Sequence, residues 1–402
     1  MKPELLAPAG NWEMLSTAID AGADAIYFGI EGLNMRAGAK NFTIDDIQEI
    51  VEKCHEKNIK TYLAINTIIF DEELLNTEKI IQKASEAKID AIICWDLAVV
   101  SLAKKYELEI HLSTQASAAN SLALEQYKKL GISRIILARE CSLEQIKNLN
   151  TDLEIETFIH GAMCVAISGR CFMSQYLYGK SANRGECIQP CRREYKIIDP
   201  ETKEELQLQN HYVMSPKDLC TIDIIDKLID TGINSFKIEG RNRSPEYVRT
   251  TIKAYKEAIE AHVKKQLTPN LKKKLKEQLR TVYNRDFSTG FYLGKPANDW
   301  CDSYGNKSTK VKEYIGKVIN YYKKPQVAEI YIETGRFNKD DKLLVQGPTT
   351  GSIELTACSI QLHDNEVNKA SKGQTIGIKS PLVRKNDKVY IFKDREQHQT
   401  KD

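Results

Sequence analysis

Ala21-Gly22-Ala23-Asp24-Ala25-Ile26-Tyr27-Phe28-Gly29 is the stretch that decides the fold of this 402-residue chain. Its first glycine is expected to end a helix, because glycine adopts the left-handed conformation found at helix C-termini without steric cost. The apolar run that follows is typical of a buried strand. Leu130-Gly131-Ile132 and Thr231-Gly232-Ile233 precede similar runs. The sequence therefore predicts a repeated unit of helix, glycine and buried strand.

Short apolar runs alternate with amphipathic segments through the first two-thirds of the chain. Helix starts support this reading, since Ser142 to Gln145 has the form of a capping box and Ser244-Pro245 places an N-cap before a first-turn proline. Eight strands joined by helices favour a TIM-like α/β barrel over an open sheet. The eight predicted strands are residues 5–8, 25–29, 61–66, 91–96, 110–114, 134–139, 155–160 and 235–240.

The chain divides into three predicted parts. Residues 1–262 are expected to form the barrel, with a cysteine-rich insertion at about 161–220, and residues 263–307 a basic helical linker. Closely spaced short strands in residues 308–395 predict a small antiparallel β-barrel. This last part resembles the β-barrel of translation factors, which implies proximity to RNA or the ribosome.

Charge is unevenly distributed along the chain. Residues 241–290 carry thirteen basic and five acidic side chains, including the run Lys272 to Lys274. Such a stretch suits an RNA-binding surface or a solvated helix face, and composition leaves both open. The start of the sequence has no secretory signal pattern, and its most apolar stretch, residues 89–103, is too short to cross a bilayer. We expect a cytoplasmic protein with no membrane segment.

Five of the ten cysteines fall within one 57-residue window: Cys164, Cys171, Cys187, Cys191 and Cys220. In a reducing compartment, clustered cysteines are more often ligands or catalysts than disulfides. Three interpretations are open. The cysteines could bind an iron–sulfur cluster, which uses four thiolates, or a structural zinc, whose ligands usually come in pairs separated by two to four residues. They could also be free or nucleophilic thiols.

Polar side chains follow the predicted strands, at the end that carries the active site in TIM barrels. Strands distant in sequence would direct these groups to one centre. They are Asn66, Asp96, Gln115, Arg139, Glu140, His160, Glu239 and Arg241.

Several motifs resemble the peptidase U32 family, the collagenase-like peptidases. They are ELLAPAG (4–10), STQ (113–115), ETFIHGAMCVAISGRCFMS (156–174), SANRGECIQPCR (181–192), MSPKDLC (214–220) and KIEGRNRSPEY (237–247). The resemblance covers nearly the whole chain, and one departure is Asp286, where the pattern has glycine. Some family members were named collagen proteases. Others resemble proteins that 5-hydroxylate a tRNA wobble uridine or an rRNA cytidine, with prephenate or oxygen as the hydroxyl donor.

The resemblance also implies a four-iron four-sulfur cluster on four cysteines. Cys164, Cys171 and Cys187 match recurring ligand positions, and Cys220 is preferred over Cys191 as the fourth ligand. No metalloprotease motif His-Glu-x-x-His and no Gly-x-Ser-x-Gly nucleophile elbow is present, although a thiol protease could pair Cys164 or Cys171 with His160.

The sequence thus predicts an RNA-modifying enzyme that hydroxylates a pyrimidine of tRNA or rRNA. The alternatives are a collagenase-like peptidase and an RNA- or ribosome-binding protein with a structural cluster. A pyrimidine taken out of its stack needs stacking and hydrogen-bonding partners. We expect catalytic roles for Lys237, Glu239, Arg241, Gln115 and His160. We expect Asn66, Arg139, Arg170, Tyr176 and Arg184 to bind substrate.

Overall fold

Eight parallel strands close into a barrel in the computed structural model, which describes residues 2–205, 211–296, 299–303, 305–363 and 365–395. The strand β9 closes it, because Phe236 pairs in parallel register with Leu5 on β1 and with Thr157 on β7. The predicted TIM-like barrel is therefore confirmed. The ten strands of this sheet are β1 (Glu4–Pro8), β2 (Ala25–Phe28), β3 (Lys60–Ala64), β4 (Ala91–Cys94), β5 (Ile110–Leu112), β6 (Arg134–Ile136), β7 (Glu154–Gly161), β8 (Asp218–Cys220), β9 (Ser235–Ile238) and β10 (Phe287–Ser288).

Helices surround the barrel, and their ends follow the local sequence signals. Gly22 caps the first helix at φ = 85°, in the left-handed region. Ser142 and Gln145 form both hydrogen bonds of the predicted capping box. The helices are α1 (Trp12–Ala21), α2 (Asp46–His55), α3 (Leu74–Glu86), α4 (Leu97–Lys105), α5 (Ser121–Lys129), α6 (Leu143–Lys147), α7 (Met173–Tyr178), α8 (Ile225–Asp230), α9 (Pro245–Val263) and α10 (Pro269–Arg280). Short 3₁₀ helices span Asp71–Glu73, Thr114–Ala116, Ala182–Arg184, Pro190–Arg192 and Ile222–Ile224.

The lower interior of the barrel is charged. Arg134 lies 2.6 Å from both Glu4 and Glu154 and 3.4 Å from Glu156, and Lys237 Nζ lies 2.9 Å from the other oxygen of Glu156. Barrel interiors of this kind are usually filled by branched apolar side chains. Here the opposite charges satisfy one another, so the layer can stay buried and hold Lys237 in place.

Residues 162–217 connect β7 to β8 across the C-terminal end of the barrel; of these, 206–210 lie outside the described residues. Gly185 approaches the loop after β2 so closely that a Cβ on it would lie 2.1 Å from the Asn34 carbonyl oxygen. Arg184 is ion-paired with Glu73 after β3. The segment therefore covers the end of the barrel at which the predicted site residues lie.

The region predicted as a basic linker packs on the barrel instead. Helix α10 contacts α9, Leu275 and Leu279 belong to the barrel's hydrophobic core, and β10 pairs with β8. Of the predicted linker, residues 297, 298 and 304 lie outside the described residues. Asp286 adopts φ = 63°, the left-handed conformation that favours glycine, which explains why the family pattern has glycine there.

The C-terminal strands enclose a second hydrophobic core. They form an eight-stranded antiparallel sheet in the order β15-β14-β20-β11-β12-β19-β16-β17 and a two-stranded sheet, β13-β18. No pairing among the described residues joins β15 to β17, so the antiparallel architecture is confirmed but a closed barrel is not. The strands are β11 (Lys310–Tyr322), β12 (Val327–Ile332), β13 (Arg336–Asn338), β14 (Lys342–Gly347), β15 (Gly351–Thr356), β16 (Ile360–Leu362), β17 (Asn365–Val367), β18 (Lys369–Ser371), β19 (Thr375–Lys379) and β20 (Lys388–Asp394).

Candidate functional site

A cavity of about 370 Å³ lies between the C-terminal ends of the barrel strands and residues 162–192. This size is within the range of small-molecule sites. Tyr27, Phe158 and Lys237 line it from barrel strands. Among the predicted site residues, those that line it are Asn66, Gln115, Arg139, Lys237, Glu239, Arg241, Cys164, Cys171 and Cys187.

Four cysteines face this cavity, and the fourth is Cys191 rather than Cys220. Cys220 is buried on β8, opposite His160 of β7, and its sulfur lies 3.7 Å from the Tyr255 hydroxyl. Contrary to the prediction that Cys220 is the fourth ligand, β8 carries its side chain into the core behind the cavity. Burial raises the pKa of both the Cys187 and Cys191 thiols, and the nearby cysteines add to the effect.

The four cavity cysteines are the residues that could hold an inorganic group. Cys164, Cys171, Cys187 and Cys191 are free of disulfides. Within the described part of the chain, no three His, Cys, Asp or Glu side chains converge to hold one metal ion, as tetrahedral zinc requires. A four-iron cluster needs its thiolates on separate irons around a larger object, and four cysteines lining one cavity fit that requirement.

Glu239 is a buried carboxylate held by arginines. Its Oε1 lies 2.7 Å from Arg36 Nη2. Burial by itself would raise the pKa of Glu239, but Arg36 and Arg243 lower it, to about 2. Glu239 therefore stays ionised at neutral pH and holds Arg36 at the cavity wall.

Lys237 lies at the floor of the cavity, with Nζ 4.4 Å from the centre of the Tyr27 ring. Burial lowers its pKa, while Glu156 opposes that effect. The pKa of Glu156 is lowered by Lys237 and Arg134, although burial acts in the opposite direction. Glu156 is thus paired with both Arg134 and Lys237.

Arg139 and Arg241 each have one buried nitrogen without an acceptor in the described part of the chain. Arg241 Nη1 and Arg139 Nε are buried without a hydrogen-bond partner among the described residues. Burial lowers the pKa of Arg241 to about 10, and it also lowers the pKa of Arg139. Leaving such donors unpaired costs about 1–3 kcal/mol each or more. The arrangement suits an anionic or carbonyl-bearing ligand in the cavity.

Gln115 and Asn66 form one hydrogen-bonded wall. Gln115 Nε2 donates to the Asn66 carbonyl oxygen at 3.3 Å, and the Ser113 hydroxyl donates to Gln115 Oε1. Met35 N donates to Asn66 Oδ1 at 3.1 Å. Both amides are therefore oriented by the barrel, as predicted for groups that position a substrate.

His160 does not reach the cavity. It is buried, with Nδ1 3.3 Å from the Tyr255 hydroxyl oxygen and its ring packed against Tyr247 and Phe287. Burial lowers its pKa to about 3. Contrary to its predicted catalytic role, His160 is therefore placed in the core behind the cavity and does not line it.

Three predicted substrate-binding residues lie outside the cavity lining. Arg184 is ion-paired with Glu73 and stacks on Phe70, so it ties the covering segment to the barrel. Arg170 donates to the Gln115 carbonyl oxygen at 3.1 Å. Tyr176 projects into solvent.

Sequence reasoning missed Arg36, Arg192, Tyr27 and Phe158, all of which line the cavity. The long loop after β2, which carries Arg36, was the one available signal, since long loops at this end of a barrel are often functional. Of the described lining residues, six are Lys or Arg and two are Glu. The cavity is therefore strongly basic.

The lysines of α10 are partly neutralised. Lys272 lies 2.7 Å from Asp226, Lys274 is 3.6 Å from Glu257, and Lys276 contacts Asp223. These pairs favour the solvated-face interpretation of the basic stretch over a free RNA-binding surface.

The barrel thus carries four cysteines and a basic cavity at its C-terminal end. Residues 10–302 match the model of peptidase family U32, and the chain belongs to that family. No helix in the described part of the chain is long and apolar enough to span a membrane.

The curated relatives have two kinds of name. A protein named collagenase from Porphyromonas gingivalis is 43% identical over 98% of this chain and 99% of its own length. The tRNA hydroxylation protein P1 of Bacillus subtilis is 35% identical over 92% of this chain and 89% of its own length. The 23S rRNA 5-hydroxycytidine C2501 synthase of Escherichia coli is 37% identical over 64% of this chain and 39% of its own length.

Proposed function

We propose that this protein is a cytoplasmic RNA-modifying enzyme that 5-hydroxylates a pyrimidine, most simply a tRNA wobble uridine, with a rRNA pyrimidine as the alternative substrate. The observation that carries the proposal is that Cys164, Cys171, Cys187 and Cys191 line the same basic cavity as Lys237 and Arg241. The names of the Bacillus subtilis and Escherichia coli relatives support RNA as the substrate.

The cavity suits a single flipped base. Enzymes that modify a base take it out of its stack and read its edge by hydrogen bonds. Gln115 and Asn66 offer oriented amides at the wall, and the Arg139 guanidinium, held 4.0 Å from the centre of the Phe158 ring, offers a planar cation. The site's own residues would thus bind and orient the pyrimidine.

Hydroxylation at C5 replaces hydrogen by hydroxyl and oxidises the base by two electrons, so the reaction needs an oxygen donor and an acceptor for two electrons. By family resemblance that donor is prephenate, a dicarboxylate, or oxygen. The unpaired donors of Arg139 and Arg241 suit a carboxylate. Glu239 stays ionised and holds Arg36 beside them.

A four-iron four-sulfur cluster on the four cavity cysteines is part of the proposal. Such a cluster would supply redox chemistry next to the bound substrate. The residues of the chain would supply its binding thiolates, and the covering segment would exclude water from the cavity. Cys220 has no part in it.

A collagenase-like peptidase is the second candidate, and the name of the Porphyromonas gingivalis relative favours it. A thiol protease needs a base beside its nucleophile. Among the described residues that line the cavity there is no histidine, and His160 is buried behind it with a pKa of about 3. The site therefore supports the hydroxylase better.

An RNA-binding protein with a purely structural cluster is the third candidate. It would not need buried, unpaired arginine donors in a cavity of substrate size. Those donors favour an enzyme.

Mass spectrometry of tRNA and rRNA nucleosides from a strain lacking the gene tests the proposal. We expect loss of one 5-hydroxypyrimidine nucleoside, restored by the wild-type gene and not by the gene encoding Arg241→Met. A normal nucleoside profile, together with cleavage of gelatin by the iron-free protein, would instead establish the peptidase.

A further inference from the structure

An exposed aromatic surface lies beside the cavity, on α7 and the residue before it. Phe172 and Tyr176 are one helical turn apart with ring centroids separated by 5.9 Å, and Tyr176 is 83% exposed. Leu177 and Tyr178 are exposed as well. Side chains this exposed contribute little to the packing of the fold, and contiguous apolar surface of this kind marks binding sites.

The same short segment also faces the cavity. Cys171, Met173 and Ser174 line the cavity, and Ser174 is fully buried. The aromatic surface is thus continuous with the wall of the proposed active site. A long ligand whose reacting group occupies the cavity can extend over Phe172 and Tyr176.

Arginines border the surface. The Arg193 guanidinium lies 5.1 Å from the centre of the Tyr178 ring, and the exposed Arg170 lies directly before Cys171 at the other end. Aromatic rings bordered by arginines are the composition of single-stranded nucleic-acid sites, in which bases stack on the rings and phosphates pair with the cations.

We infer that the surface formed by Phe172, Tyr176 and Tyr178, with Arg170 and Arg193, binds the single-stranded RNA nucleotides that flank the target pyrimidine. The inference rests on the proposed function, because it requires the target base in the cavity. Extruding that base leaves its neighbours without a stacking partner, and Phe172 and Tyr176 replace the lost partner. Tyr176 therefore contacts RNA outside the pocket, and not the reacting base as the sequence predicted.

The test uses a synthetic RNA hairpin whose loop carries uridine flanked by 2-aminopurine, a base whose fluorescence falls when it stacks. Wild-type protein should bind the hairpin and quench the probe. Tyr176→Leu and Phe172→Leu remove the ring but keep an apolar side chain, and each should weaken binding roughly 5- to 100-fold and relieve the quenching. Tyr176→Phe should behave as wild type. Tyr322→Leu, which removes an exposed tyrosine from β11, is the matched control and should change neither readout.

Wild-type affinity and quenching in Tyr176→Leu would overturn the inference. So would loss of self-association in Tyr176→Leu with unchanged RNA binding, because the surface would then be a contact between protein molecules. The nucleoside profile separates the two proposals. Suppose that the deletion strain lacks a hydroxylated nucleoside, that the gene encoding Tyr176→Leu restores it, and that this variant binds RNA as tightly as wild type. In that case only the inference fails. If the deletion changes no nucleoside, the proposed function fails and the inference falls with it.

Discussion

The Arg36 guanidinium lies 2.7 Å from the Glu239 carboxylate, which joins the loop after β2 to the end of β9 at the wall of the cavity. The two residues are 203 positions apart. This pair lowers the pKa of Glu239 against the effect of burial. It keeps a negative charge fixed among the cavity arginines and thereby holds Arg36 in place.

Glu239→Gln should change how stability depends on pH. The pKa of Glu239 is about 2 in the folded protein, against an ordinary value of 4.5 for a glutamate side chain. The stability that the ionised carboxylate contributes is therefore complete above about pH 4.5 and is lost as the pH falls toward 2. The stability advantage of wild type over Glu239→Gln should therefore shrink by about 2 kcal/mol between pH 5 and pH 3. Urea unfolding at a series of pH values measures it. An advantage that is constant with pH would show that Arg36 does not stabilise the ionised carboxylate.

Arg241→Met should lower activity without lowering stability. The variant removes a buried donor that has no partner, so we expect the free energy of unfolding to stay within about 1 kcal/mol of wild type or to rise. Hydroxylation should fall at least about tenfold if Arg241 binds the substrate or donor. Arg134→Met is the matched comparison, because Arg134 is also a buried arginine but pairs with Glu4, Glu154 and Glu156. It should lose about 3–5 kcal/mol of stability. Equal destabilisation of the two variants would contradict the assignment of Arg241 as a ligand-binding residue.

Iron content should depend on the four cavity cysteines alone. Protein purified without oxygen should contain about four iron and four sulfide per chain. Cys164→Ser, Cys171→Ser, Cys187→Ser or Cys191→Ser should each lower that content and bleach the visible absorption, because each lost thiolate opens a coordination position. Cys220→Ser is the control and should retain iron, since its sulfur is buried beside Tyr255. Loss of iron in Cys220→Ser with retention in Cys191→Ser would reverse the ligand assignment.

His160→Gln should leave the chemistry intact and alter acid stability. The imidazole has a pKa of about 3 in the folded chain, against an ordinary value of 6.5 for a histidine side chain. The unfolded state therefore binds a proton first, and wild type is destabilised as the pH falls below 6.5. We expect this residue to cost wild type about 2 kcal/mol between pH 6.5 and pH 5, a cost that the glutamine variant lacks. Unfolding curves at pH 7, 6 and 5 test this. Complete loss of nucleoside hydroxylation in a stably folded His160→Gln protein would restore a catalytic role for the histidine.

The sequence by itself determined the barrel. Each strand and helix end depends on neighbours within a few residues: glycines at helix ends, capping side chains and apolar runs of strand length. The segment from Ala21 to Gly29 forms the end of α1 and all of β2, as predicted. The sequence also identified the cysteine window and most of the polar residues at strand ends as parts of the site. The C-terminal ends of the strands in a parallel barrel meet at one face, independently of the conformation of the loops.

Only the tertiary structure decided which of these residues meet in the cavity. Cys191 and Cys220 are both in the cysteine window, yet one lines the cavity and the other is in the core, because β8 pairs antiparallel with β7 and directs Cys220 inward. His160 lies near the end of β7 and Glu239 directly follows β9, but only Glu239 faces the site. The long loop after β2 is the one local signal for Arg36, and the role of this residue depends on a partner 203 residues away. Contacts between distant segments depend on register and chain path, and local sequence patterns do not encode either of these directly.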